Sequence, residues 1–325
     1  MEKKHIVFFL LVIALVLAFS GCKTDKGGTD YKVSGRVLTT DGARGVPDAA
    51  IAFSGISAAA TTDKYGMWSQ SGLEGSVTVT PAAPKDGFDW EFQPANKTVS
   101  KAATGVNFKV KDLLYYNGFS DPTSGWGSYV DENCSRNYED NEYEMKVTTP
   151  DYRYFVWMTI FPVNYRIQVD VRRYEGEDGF GGIVFNVLTK DDFYYNFRVK
   201  PYDQTYGLFR GGDYYEVVVN WKSSAHITQG DGVNRLEVVQ NGGKVDLYIN
   251  GNLVEEDIEI EQHEGETVLG AGMCVGTWEA PVTFRFDDFQ VFMEGEVLTP
   301  MGRSTISSPI FRASEAAEMT ANLSK

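Results

Sequence analysis

Three carboxylates invite a chemical reading. In "INGNLVEEDIEIEQHE" (Ile249–Glu264) the side chains of Glu255, Asp257 and Glu259 alternate along a stretch of strand character, so all three share one face. Two such carboxyls held about 5–5.5 Å apart cleave glycosidic bonds with retention, one as nucleophile and one as general acid. Residues four apart on a strand stand roughly 13 Å apart at Cα, so their heads converge only on a concave surface. Glu256 would then face the core with no evident partner, which is costly. No tryptophan stands beside the run to stack on a sugar. The run reads as a charged, solvated strand that resists edge-to-edge pairing; hydrolysis through Glu255 and Glu259 stands as the alternative.

Sugar-binding chemistry is better represented in "DDFYYNFRVK". Phe193, Tyr195, Phe197 and Val199 form one face, and Tyr194, Asn196, Arg198 and Lys200 form the other. The second set joins a planar ring, which covers the apolar C–H face of a sugar, to amide, guanidinium and ammonium groups that read hydroxyls. Arg166, Gln168 and Asp170 in "YRIQVDV" and Asn186 in "IVFNVL" have the same outward parity. If these strands are neighbours, a polar stripe centred on Tyr194 results, although a plain hydrated sheet face has the same pattern. Trp278, in the loop "GTWEAPV", is a candidate ring at the binding edge, and Trp126 is expected to pack near a first strand.

Other chemistry is thinner. Asp121, Asp287 and Asp288 fall where first and last strands of such sandwiches meet, and carboxylates there would hold a structural Ca²⁺. Cys134 and Cys274 either pair as a disulfide, as an exported chain permits, or remain thiols. Two cysteines with His5, His226 and His263 show no zinc-ligand spacing. The chain has 45 acidic and 30 basic residues, a formal charge of −15, which argues against a nucleic-acid partner.

The N-terminus is an address. Lys3 and Lys4 precede an unbroken apolar run, Ile6–Phe19, too short to span a bilayer at about 20 residues per span, so it reads as a secretory signal. Ser20-Gly21-Cys22 resembles the lipobox of bacterial lipoproteins, which implies removal of residues 1–21 and acylation of Cys22 as the membrane anchor. Residues 22–30 suit a flexible tether. Lys23 after the acylated cysteine, in place of the aspartate that retains some lipoproteins in the inner membrane, leans toward an outer membrane where the cell has one.

The elements that would position these groups are strands. Short alternating runs separated by Gly, Asp, Asn and Pro give an all-β class. Residues 31–110, with "SGRVLTTDGARGVPDAAIAFSG" and "TTDKYGMWSQSGL", resemble the carboxypeptidase regulatory-like domains, small transthyretin-like sandwiches that serve as spacers. Residues 111–295, with "FSDPTSGW", "DDFYYNFRV", "NRLEVVQNGGKVDLYINGNLV" and "FDDFQVF", resemble concanavalin-A-like jelly rolls, closest to a laminin-G-like branch. "EEDIE" is similar in spacing to the Glu-x-Asp-x-Glu strand of jelly-roll glucanases, but Glu256 stands where that family has an apolar residue. Residues 296–325 lack alternation and read as a mobile tail.

These readings converge on an expected lipid-anchored envelope protein whose larger sandwich binds a glycan or other surface polymer without cleaving it. A glycoside hydrolase and a protein-contacting adhesion component are the alternatives.

Overall fold

The computed structural model describes residues 30–160, 164–177, 179–188, 193–212, 215–261, 269–279, 281–294 and 306–307. Among them there is no helix, and the expected fold class holds: all-β, a small sandwich followed by a larger jelly roll. The leader, Cys22, the tether and all of the tail except two residues lie outside the described residues.

The small sandwich has two four-stranded sheets. One runs β4 (Met67–Leu73), β1 (Tyr31–Leu38), β8 (Phe108–Val110), β6 (Phe92–Gln93); the other runs β3 (Ala59–Thr61), β2 (Ala50–Phe53), β5 (Val77–Ala82), β7 (Lys97–Val99). Alternation places Val33, Val37, Ile51, Phe53, Val77 and Val79 between the sheets around Trp68 and Phe108. The Asp63–Gly66 turn forms as its residues dictate: Asp63 Oδ1 accepts from the amides of Tyr65 (2.8 Å) and Met67 (2.9 Å), and Gly66 takes φ 70°.

The larger sandwich packs a nine-stranded sheet on a seven-stranded one. The first runs β10 (Tyr129–Val130), β11 (Cys134–Glu139), β12 (Glu142–Val147), β23 (Val282–Met293), β14 (Tyr165–Glu175), β19 (Asn234–Asn241), β20 (Lys244–Ile249), β21 (Asn252–Glu259), with β9 (Leu113–Asn117) also on β23. The second runs β18 (Glu216–Ser223), β17 (Thr205–Gly211), β16 (Phe193–Lys200), β15 (Phe180–Leu188), β22 (Leu269–Gly276), β13 (Arg153–Ile160), β24 (Ile306–Ser307). Asn250-Gly251 closes β20 on β21 with both residues at positive φ, the twist a two-residue hairpin needs. Ile306–Ser307, from the expected tail, extends the sheet beside Trp157 and Met158.

The two sandwiches are not beads on a string. Along β9, Leu114 and Tyr115 enter the large core while Leu113 and Tyr116 enter the small one, joined there by Phe292. The loop after β5 docks on the outer face of the nine-stranded sheet. Trp90 Nε1 donates to Gln290 (2.7 Å), Lys85 bonds Asp287 (2.5 Å) and Asp288 (2.8 Å), and Arg235 donates to the carbonyl of Gly87 (3.2 Å).

Candidate functional site

Strand β16 divides as alternation requires. Phe193, Tyr195, Phe197 and Val199 point between the sheets, and Tyr194, Asn196, Arg198 and Lys200 point away from them, onto the outer face of the seven-stranded sheet. Neighbouring strands bring a second aromatic cluster to that face: Phe155 and Trp157 from β13, Phe180 from β15, and Trp221 from β18, with Trp278 in the loop after β22. Phe209 of β17 lies 5.1 Å from the Trp221 ring. Trp278 stands 5.2 Å from Phe180 and 6.0 Å from Trp221, the latter edge-on.

The rings lie against the sheet because the strands beneath them carry glycine. A Cβ on Gly276 would sit 2.4 Å from Phe180, one on Gly211 2.2 Å from Tyr194, and one on Gly270 2.6 Å from Trp157. These glycines provide flat floor rather than turns.

Arg198 sits at the centre, fully buried. Its Cζ is 4.1 Å from the Phe180 centroid and 4.5 Å from that of Phe209, so the cation lies against two π-faces. Nε donates to Asn196 Oδ1, and Nη1 has one long contact, 3.4 Å, to the Tyr215 hydroxyl. Nη2 has no partner. Burial pulls this guanidinium below its ordinary pKa, and the nearby charge of Arg153 acts in the same direction. The rim is half-buried: Arg153 lies 5.0 Å over the Tyr215 ring, and the Lys200 ammonium is 4.1 Å from Trp278 and 4.8 Å from Trp221.

Of the expected glycan-binding residues, Tyr194, Asn196, Arg198 and Trp278 come together here; Arg166 and Asn186 do not. Strand β14 belongs to the opposite sheet, so no stripe joins Arg166 to Tyr194. Arg166 faces the small sandwich, bonding Asp89 (2.7 Å) and lying 4.2 Å from the Phe292 ring. Asn186 sits at a bulge in β15 with φ 50°, which turns it inward to accept from the Tyr165 hydroxyl (2.6 Å) and donate to Gln240 (2.9 Å). The bulge reverses the parity read from alternation.

The other expected sites also change. Asp287 and Asp288 clasp Lys85, whose ammonium supplies the positive charge there, while Asp121 accepts from Thr123 (2.8 Å) and pairs with Lys64 (3.6 Å). Among the described residues no group of three or more His, Cys, Asp or Glu side chains is arranged to hold a metal ion. Cys134 and Cys274 are free thiols. Cys134 lies in the core between the sheets and Cys274 on the outer aromatic face, so the seven-stranded sheet separates them. Burial pushes both thiols up to about 12.

The carboxylate run does not form one regular face. Two register shifts interrupt its pairing with β20, with Asp257 at φ 56°, and Glu256 is exposed rather than core-facing. Glu255 is the held member, accepting from the Tyr206 hydroxyl (2.8 Å) and pairing with Lys222 (2.5 Å); its bonded neighbours are a phenol and a cation, not a second carboxyl.

Arg153, Phe180, Phe209, Tyr215 and Trp221 went unread in the sequence. The signal for them was "LGAGMCVG", where Gly270, Gly272 and Gly276 leave one face of a strand nearly bare, which implies rings lying across it.

Comparison with protein-family models gives no match, and neither does comparison with curated protein sequences. Among solved structures, the chain is similar to the carbohydrate-binding module CBM66 from Bacillus subtilis, at 11% identity and TM-score 0.35 over 56% of this chain and 98% of that one. A protein of unknown function with a galectin-like fold from Bacillus subtilis aligns at 15% identity and TM-score 0.44, over 56% and 96%. The Bacillus licheniformis β-glucanase aligns at 10% identity and TM-score 0.39, over 55% and 98%. A likeness of this grade carries nothing about the site, which rests on its own geometry.

Proposed function

We propose that the protein binds a saccharide, without cleaving it, on the outer face of its seven-stranded sheet. The observation that carries this is Lys200 lying over the half-buried rings of Trp278 and Trp221, beside Tyr194, Asn196 and Arg198. Tryptophan faces cover the C–H surface of a pyranose, and the amide, guanidinium and ammonium groups meet its hydroxyls. Around that site we place an acylated Cys22 holding the chain to the envelope, at the outer membrane where the cell has one. The small sandwich, in the role its carboxypeptidase regulatory-like resemblance implies, stands the binding face off the membrane. Its docking through Lys85, Trp90 and Tyr116 favours a rigid stand-off.

The test uses the whole mature chain, with Cys22→Ser for solubility, because the two sandwiches share core residues at β9. Retention on one or more polysaccharides, with no release of reducing sugar from them, is the expected result. A folded protein retained by none contradicts the reading; reducing sugar lost in Glu255→Gln restores the hydrolase.

A further inference from the structure

We infer that the saccharide is anionic, and that its carboxylate or sulfate group is the missing partner of Arg198. The inference rests on the saccharide-binding reading and specifies the class of sugar.

A guanidinium has five N–H donors in a rigid fork. Arg198 uses Nε on Asn196 and a long Nη1 contact on Tyr215, and leaves Nη2 with nothing although the residue is fully buried. The titratable groups with the largest influence on it are Tyr215, Arg153, Cys274 and Tyr194, and no carboxyl of the described residues is among them. Buried charges are ordinarily paired, because an uncompensated one bears a large desolvation cost. The chain has 45 acidic residues to spend, and it spends them on other partly buried arginines: Asp170 on Arg235 (2.7 Å), Glu144 on Arg285 (2.9 Å), Glu142 on Arg172, and Asp89 on Arg166 (2.7 Å). Two aromatic faces steady the Arg198 cation without neutralising it. Arg153 and Lys200 stand at the rim, the latter 3.7 Å from Asp203.

An oxyanion matches the unused part of the fork, and supplies the opposite charge and the paired acceptor oxygens that a neutral hydroxyl lacks. The Tyr215 hydroxyl, held at 3.4 Å on a half-buried side chain, is the group it displaces. A sugar ring stacked on Trp278 then carries its acidic substituent inward beneath Lys200.

The experiment titrates the whole mature Cys22→Ser chain with matched oligosaccharides. One pair is an oligogalacturonate and its fully methyl-esterified form; the other is a sulfated galactan oligosaccharide, which has no carboxylate, and its desulfated form. The expected result is binding of at least one acidic member, weakened about tenfold or more in its neutralised partner. The carboxylate and sulfate arms identify which oxyanion is read. Equal binding of acidic and neutral members overturns the inference and leaves saccharide binding standing, whereas retention of no sugar removes both. The wild-type comparison decides without any variant. In Arg198→Met the acidic preference should vanish while the melting temperature holds or rises, since an unpaired buried cation has been removed. A lowered melting temperature with the preference intact would mark Arg198 as a framework residue and overturn the assignment.

Discussion

The two outer faces of the larger sandwich solve opposite problems. On the nine-stranded face Arg166 meets Asp89, Arg235 meets Asp170, and Lys85 meets Asp287 and Asp288, where the docked loop also lays Phe88 and Trp90. On the seven-stranded face rings lie over glycine, and among the described residues no acid pairs with the buried Arg198. A compensated polar surface holds two sandwiches together. A cation among rings, with no described acid beside it, is where we propose that a ligand binds. Polarity alone does not separate the two; the pairing of charges does.

The comparison breaks most visibly at Trp278. Trp278→Ala should weaken saccharide binding by about 2 kcal/mol, roughly thirtyfold, while unfolding by denaturant shifts little, because this ring is an anchor on a half-buried rim. Arg166→Ala, on the other face, should leave affinity within about twofold and lower stability instead. Equal losses of affinity in both variants would erase the distinction.

Lys85→Ala tests the latch. It leaves Asp287 and the fully buried Asp288 side by side without their cation. Loss of one partner from a buried pair costs about 3–5 kcal/mol, and half-exposure of the lysine discounts this to about 1–2 kcal/mol. Chemical denaturation should show the loss, with saccharide affinity unchanged.

A subtler effect is pH-dependent. Burial, and then the charge of Asp288, push Asp287 up to about 7 from 3.8, and Asp48, Asp288 and Glu294 are also raised, each chiefly by burial. A carboxyl whose folded pKa is raised holds its proton more tightly folded than unfolded. Its contribution is present at acidic pH and is lost as pH climbs through the folded value. Unfolding free energy should therefore fall between about pH 4 and pH 7, from the ordinary value of Asp287 to its folded one. Asp287→Asn should flatten that slope, and a slope of opposite sign would contradict the burial of this cluster. The smallest effect is at the strand edge: Glu255→Gln should change saccharide affinity by less than about 0.5 kcal/mol.

Much of the architecture was legible because alternation and turn chemistry are local. Asp63–Gly66 and Asn250-Gly251 form the turns their residues specify, and β16 shows the two faces read from "DDFYYNFRVK". What failed was non-local or depended on an irregularity. Which sheet takes β14 is decided by pairing with β19 and β23, far away in sequence, so Arg166 could not be placed relative to Tyr194. Bulges near Asn186 and in β21 altered orientations assigned by strict period-two counting. The outer aromatic cluster draws on five strands and a loop, and beyond Tyr194 and Trp278 only its glycine floor left a trace in the sequence.

The most direct measurement follows the indole N–H resonances of the six tryptophans during titration with the tightest saccharide found. Shifts at Trp221 and Trp278, with Trp90 still, are the expected result. Movement of Trp90 while Trp221 and Trp278 stay fixed would place the ligand on the wrong face and contradict the account.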